Sequence, residues 1–152
     1  VDQVVIDNFD TGIYTYSGSV LVTKSKIRTV HTALTGSACG LYVRDSILSA
    51  SPAVADASYS GDSYGIRGTA EGFTCINTQV SGFRIGAYNS LSSANMMNSI
   101  FDNLEINVNV RTGMIYNCLL KNARMGIQQD TSTVDVIDTT ILGTGESGSI
   151  GV

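Results

Sequence analysis

Glycine or asparagine returns at one point of a repeated pattern along the whole chain, and this recurrence restricts the possible folds more than any other feature. The segments Asn77–Ala87, Asn98–Val108 and Asn117–Ile127 superimpose without a gap. Extending their register in both directions gives one column: Asn8, Gly36, Gly61, Gly82, Asn103, Asn122 and Gly143, at successive spacings of 28, 25, 21, 21, 19 and 21 residues. These two residue types most readily adopt a left-handed backbone, so the column reads as a bend repeated in every unit. A unit of about twenty residues cannot bury an apolar face alone, but stacked units bury one another.

The flanking columns agree. Two residues before the bend stand Ile6, Leu34, Tyr59, Val80, Phe101, Leu120 and Ile141. Two residues earlier stand Val4, Thr32, Ala57, Thr78, Ser99, Cys118 and Thr139, all small or β-branched. After the bend comes a second glycine column, Gly12, Gly40, Gly65, Gly86, Asn107 and Gly126, which breaks at Ser149. Ile13, Leu41, Ile66, Ala87, Val108, Ile127 and Ile150 follow it. Period-two alternation within each unit means strand with one side turned to a core. The expectation is an all-β, right-handed parallel β-helix of about seven coils, a rod roughly 30–35 Å tall. Residues 1–152 form one domain, whose coils run to both ends of the chain as in a piece cut from something longer. The stretches Ser17–Arg28 and Asp45–Ala53 exceed their later counterparts and are expected as loops bulging near one end.

Composition removes several classes of function. Nine basic residues are scattered through a chain of net charge -4, which argues against nucleic acid, whose binding needs clustered Lys and Arg. No apolar run approaches the ~18 residues of a membrane span, so membrane insertion is not expected. Cys39, Cys75 and Cys118 are far apart and odd in number, which fits buried free thiols rather than zinc ligands or a disulfide framework. His31 is the only histidine, so no two-histidine metal site exists, and no cofactor or metal is expected. Gln3, His31, Asp56, Asn77, Asn98, Asn117 and Asp138 line up as one polar column, read as a hydrogen-bonded corner ladder.

The run from Asn117 to Asn122 (Asn-Cys-Leu-Leu-Lys-Asn), continuing to Gly126 and Ile127, resembles the repeat of pectate-lyase-like parallel β-helix proteins. With gaps, the match covers most of the chain. The Ser/Thr/Asn-rich composition with free cysteines looks most like the phage tailspike and tail-fibre members of that group. This resemblance implies a virion or extracellular homotrimer that binds, and often cleaves, bacterial surface polysaccharide. The acidic and basic signatures of the pectate-cleaving enzymes are missing.

Three groups of residues are candidates for chemistry. Asp102 and Glu105 flank Asn103, with Arg84 and Arg124 in Glu105's column and Lys121 beside Asp102. Such carboxylates could serve as acid and base in glycoside hydrolysis; equally, the charges could form cross-strand ion-pair ladders. Asp7 and Asp10 repeat the pair in the first coil, which favours the ladder. Tyr14, Tyr42, Arg67 and Tyr88 are expected in one outward column, with Tyr16 and Arg44 beyond it. Together with Arg84 and Arg124 they offer apolar ring faces and donors for saccharide, or are ordinary surface residues. Ile100 and Leu119 fall in an outward column beside Gln79 and Thr140, suited to side-by-side trimerisation or to cover by a loop. The function expected is a host-attachment module that binds bacterial surface polysaccharide, and the alternative is a depolymerase. An ice-binding solenoid is disfavoured because no outward column is a regular Thr array.

Overall fold

The computed structural model describes residues 1–52, 61–129 and 132–151. In chain order the strands are β1 (Val5–Thr15), β2 (Gly18–Thr23), β3 (Lys26–Gly36), β4 (Cys39–Arg44), β5 (Ile47–Ala50), β6 (Tyr64–Gly68), β7 (Phe73–Ile76) and β8 (Gln79–Ser81). They continue as β9 (Ile85–Met97), β10 (Ile100–Asp102), β11 (Ile106–Tyr116), β12 (Leu119–Lys121), β13 (Met125–Gln129), β14 (Val134–Ile137) and β15 (Thr140–Leu142). All the strand pairings are parallel, and the described residues include no helix. The chain is a parallel β-solenoid of about six turns, one fewer than the glycine column suggests.

Each turn contributes to three parallel ladders, here called faces A, B and C. Face A stacks the first part of β1 and of β3 with β5, β8, β10, β12 and β15. Face B stacks the second part of β1 and of β3 with β6, the first part of β9 and of β11, and β13. Face C stacks β2, β4, β7, the second part of β9 and of β11, and β14. Between the faces runs one core. Ile27, Leu48, Val80, Phe101 and Leu120 enter it from face A, Leu34, Ile66, Ala87, Val108 and Ile127 from face B, and Val43, Cys75, Met96 and Ile115 from face C. All three cysteines are free and buried.

The corner between faces C and A sets the repeat. Gln3, Lys24, Asp45, Asn77, Asn98, Asn117 and Asp138 all have φ between 49° and 53°. The polar column is therefore itself a left-handed bend, with Lys24 and Asp45 where His31 and Asp56 were expected; Asp56 lies outside the described residues. Directly after it, Ser25, Ser46, Thr78 and Ser99 form a buried hydroxyl ladder. Each donates to the carbonyl two residues earlier: Ser25 to Thr23 at 2.7 Å, Ser46 to Arg44 at 2.8 Å, Thr78 to Ile76 at 2.9 Å and Ser99 to Met97 at 2.8 Å. Each also accepts an N–H from the coil before: Val4, Ser25, Ser46 and Thr78 donate at 3.3, 3.1, 3.4 and 3.1 Å. The ladder thus satisfies buried backbone groups that the bend would otherwise strand.

The second glycine column has a steric cause. Its true members are Gly12, Ala33, Gly65, Gly86, Asn107, Gly126 and Gly151, aligned by pairing on face B. A Cβ on Gly12, Gly65, Gly86 or Gly126 would come within 2.5–2.7 Å of the carbonyl oxygen at the same position in the next coil. The first glycine column holds in part. Gly61, Gly82, Asn103 and Asn122 each stand three residues before the stacked Tyr64, Ile85, Ile106 and Met125. Gly36, however, pairs with Gly68 at the far end of face B.

The early coils carry further corrections. Ile6 stacks on Ile27 and Leu48 rather than Leu34, and Ile13 stacks on Leu34 rather than Leu41. Ser25 takes the place expected of Thr32, while Ala57 and Tyr59 lie outside the described residues. The first two coils are regular at 21 residues, and β2 occupies much of the stretch Ser17–Arg28 expected as a loop. The extra length belongs to the third coil, which takes 32 residues from Asp45 to Asn77. β5 sits inside Asp45–Ala53, so that stretch is not a free loop either; Ala53 is outside the described residues.

Candidate functional site

The A/B corner separates the two candidate carboxylates. Asn103 and Asn107 are buried beneath it, and Asn107 Oδ1 accepts from Asn103 N at 3.1 Å and Asn103 Nδ2 at 3.2 Å. Asn103 Oδ1 accepts the Phe83 N–H at 3.2 Å, and Asn107 Nδ2 donates to the Lys121 carbonyl at 3.1 Å, so the pair ties three coils together. Asp102 therefore ends face A, whereas Glu105 precedes face B. Lys121 Nζ lies 3.1 Å from Asp102 Oδ2, and Asn122 Nδ2 donates to Asp102 Oδ1 at 2.9 Å. Asp102 also edges a depression of about 290 Å³ lined with Ser49, Ser81 and Gly82. Glu105 Oε1 lies 2.6 Å from Arg84 Nη2, whose guanidinium also reaches Asp62 at 3.7 Å. Between Glu105 and Arg124 no ion pair forms, so only half of the expected three-residue ladder exists. The acidic pair of the first coil likewise meets partners one coil on: Asp7 binds Arg28 through two 2.6 Å hydrogen bonds, and Asp10 pairs with His31. The Arg28 guanidinium holds the Asp7 carboxyl below its ordinary range.

Face B gathers most of the other candidates. Tyr14, Thr35, Arg67, Tyr88, Asn109 and Gln128 form one outward column, by the ladder register. Thr35 replaces Tyr42, which instead stands on face C between Leu21 and Thr74. Arg44 is also on face C and shares no column with Tyr16. Arg67 places its guanidinium carbon 4.8 Å from the ring centroid of Tyr64, and Tyr64 packs against Tyr88 at 5.6 Å with a 59° tilt. Burial pushes the Tyr64 hydroxyl up from its usual range, and its nearest acceptor is Asp62 at 3.4 Å. Among the described residues neither Arg67 nor Arg124 enters an ion pair.

Beside this cluster opens a cleft of about 370 Å³, lined by Asp10, Thr11, His31, Thr32, Asp62, Tyr64 and Arg67. The meeting of Asp10 with His31 and the part played by Tyr64 and Asp62 lie outside the sequence expectations. The signal was present, because His31 is 21 residues after Asp10, the spacing of the regular coils. No group of His, Cys, Asp and Glu suited to a metal ion occurs among the described residues.

Ile100 and Leu119 stand as expected in one outward column of face A, Val5–Lys26–Ile47–Gln79–Ile100–Leu119–Thr140. Val5, Ile47 and Ile100 are 76%, 40% and 38% exposed, so this is an apolar stripe interrupted by Lys26 and Gln79.

Fold and site together define a parallel β-solenoid whose face B bears a tyrosine–arginine strip beside a carboxylate-lined cleft. No protein-family model, curated protein or solved structure matches the chain.

Proposed function

We propose that this solenoid is a virion host-attachment module, and that face B binds an acidic bacterial surface polysaccharide. The observation that carries the reading is the Arg67–Tyr64–Tyr88 cluster. Its guanidinium is held over the buried Tyr64 ring, and that ring is braced by Tyr88 at a 59° tilt, so a cationic and aromatic patch is ordered before any ligand arrives. Sugar rings offer apolar C–H faces to tyrosines, and their carboxylates suit unpaired guanidinium groups such as those of Arg67 and Arg124. Three copies would associate side by side through the stripe of Val5, Ile47, Ile100 and Leu119, burying apolar surface that is exposed in one chain.

Binding is tested with an array of acidic bacterial polysaccharides. Arg67→Ala and Tyr88→Ala should each weaken the best ligand at least tenfold, and full retention by both variants would sink the reading. Light scattering should give three times the chain mass, falling to one in the double variant Ile100→Asp with Leu119→Asp.

The second reading is a depolymerase. It is favoured by the two carboxylates, Asp10 and Asp62, that share the face B cleft with His31. Asp102 and Glu105 are each engaged by a cation of a neighbouring coil and stand on either side of the A/B corner, the arrangement of cross-strand ion pairs. Chain-length analysis of polysaccharide incubated with wild type, Glu105→Gln and Asp10→Asn decides between binding and cleavage. Unshortened polysaccharide with the wild type would remove the enzyme reading.

A further inference from the structure

Tyr42 sits apart from face B, in a setting of its own. On β4, Leu41 points into the core, so Gly40 and Tyr42 both belong to the outer surface of face C. Gly40 is nonetheless buried, because the tyrosine ring folds back along the strand. From the place where a Cβ on Gly40 would stand, Tyr42 Cε2 is 3.2 Å and its hydroxyl oxygen 3.6 Å away. The ring edge that carries Cε2 and the hydroxyl thus lies against Gly40, while the residue stays 48% exposed.

Next to the ring lies a cleft of about 250 Å³ lined by Gly40, Tyr42, Glu71, Gly72, Phe73, Thr74, Ser93 and Asn95. Its floor exists because Gly40 and Gly72 remove side chains from adjacent coils. Gly72 admits no replacement, since a Cβ there would lie 2.4 Å from the Ser93 carbonyl oxygen. Its rim is fixed from inside by Asn89, which is fully buried. Asn89 Nδ2 donates to the Glu71 carbonyl at 2.8 Å, and Oδ1 accepts from Leu91 N at 3.1 Å and Ser92 N at 2.8 Å. Both lips of the cleft are therefore held by one side chain.

We propose that this cleft is a second saccharide site, for a neutral pyranose stacked on Tyr42. The lining contains two aromatic residues, of which Phe73 is buried and Tyr42 exposes its ring, hydroxyl and amide side chains in Thr74, Ser93 and Asn95, and, among the described residues, a single charge, the Glu71 carboxylate. A carboxylate accepts hydrogen bonds from sugar hydroxyls and repels acidic sugars, and no Lys, Arg or His lines the cleft to offset it. Its ligand class is thus distinct from that proposed for face B, and the site stands independently of that proposal.

The experiment titrates the full chain with neutral pentasaccharides of glucose, mannose and galactose, and separately with pentagalacturonate, reading saturation-transfer NMR and calorimetry. At least one neutral sugar should bind saturably. Tyr42→Ala and Glu71→Gln should each weaken it at least tenfold, Tyr42→Phe should keep most of the affinity, and Arg67→Ala should leave it unchanged. If Tyr42→Ala fails to fold, Glu71→Gln carries the test, because its side chain is outside the core. Failure of all three neutral sugars to bind, or binding that survives Glu71→Gln unchanged, overturns the proposal. If neither Arg67→Ala nor Tyr88→Ala weakens any acidic ligand of the array while neutral sugar binding still depends on Tyr42 and Glu71, the face B reading falls and this one stands.

Discussion

The Ser99 hydroxyl accepts the Thr78 N–H across a coil boundary at 3.1 Å while donating to the Met97 carbonyl within its own bend at 2.8 Å. Ser99→Ala leaves a buried N–H without a partner and should lower stability by about 1–3 kcal/mol. The readout is a lower urea midpoint with an unchanged slope. Ser99→Thr keeps the hydroxyl and should retain most of the wild-type midpoint. A midpoint unmoved by the alanine would mean the hydroxyl ladder does not stabilise the stack.

Lys24 stands at a left-handed bend that five of the six other coils fill with Asn or Asp, and it carries φ of 49° with its side chain exposed. Such a backbone costs an ordinary residue roughly 1 kcal/mol. Lys24→Asn should therefore raise the thermal midpoint by a few degrees and Lys24→Gly should do no harm. A lower midpoint for Lys24→Asn would show that the lysine holds a contact worth more than the strain.

Gly65 shows the opposite constraint. A Cβ there would come within 2.2 Å of Val80 Cγ1 and 2.5 Å of the Gly86 carbonyl oxygen. Gly65→Ala should destabilise by about 1–3 kcal/mol or more, the range for overfilling a packed interior. Gly145→Ala, where nothing lies within 4 Å although φ is +77°, is the matched control and should cost less. Chemical denaturation of the two variants side by side makes the comparison.

Burial pushes the Cys75 thiol up to about 12 from an ordinary value of 9.0. Below pH 9 the thiol is neutral whether the chain is folded or not, and its effect on stability does not vary. Between pH 9 and 12 only the unfolded chain releases the proton, so folding is progressively disfavoured as pH rises. Cys75→Ala has no proton to lose there, and its stability should fall less steeply across that window than the wild type's. Equal slopes would place the thiol in contact with solvent.

The coils that begin at Asn77, Asn98 and Asn117 were legible because their bend, hydroxyl or thiol, core and glycine positions all agree with residue type. Earlier coils were legible only as solenoid. The strand Lys26–Gly36 turns from face A to face B without a break, so Ile27 and Leu34 offer the same alternating pattern and either could partner Ile6. Lys24 in a left-handed bend carries no sign of it in its residue type. At the site, this slip moved Tyr42 onto the wrong face and hid the Asp10–His31 pair, whereas Arg67, Tyr88, Arg84 and Glu105, in or next to the regular coils, fell where expected.

One rung of the hydroxyl ladder is sulfur. Cys118 stands where Ser99 and Thr78 carry oxygen, and its thiol donates to the Tyr116 carbonyl at 3.3 Å. Thiol sulfur is a weak acceptor, so this junction is the softest handover between neighbouring coils. Beyond it Val136, Ile137 and Leu142 are exposed rather than covered. In a stack coupled only through nearest neighbours, fraying then starts past Asn117, Thr139 included, and halts at the oxygen rungs of Ser99 and Thr78. Amide hydrogens of the last two strands should exchange before those of Thr78 to Phe101, giving the rod a loose heel on a firm shaft.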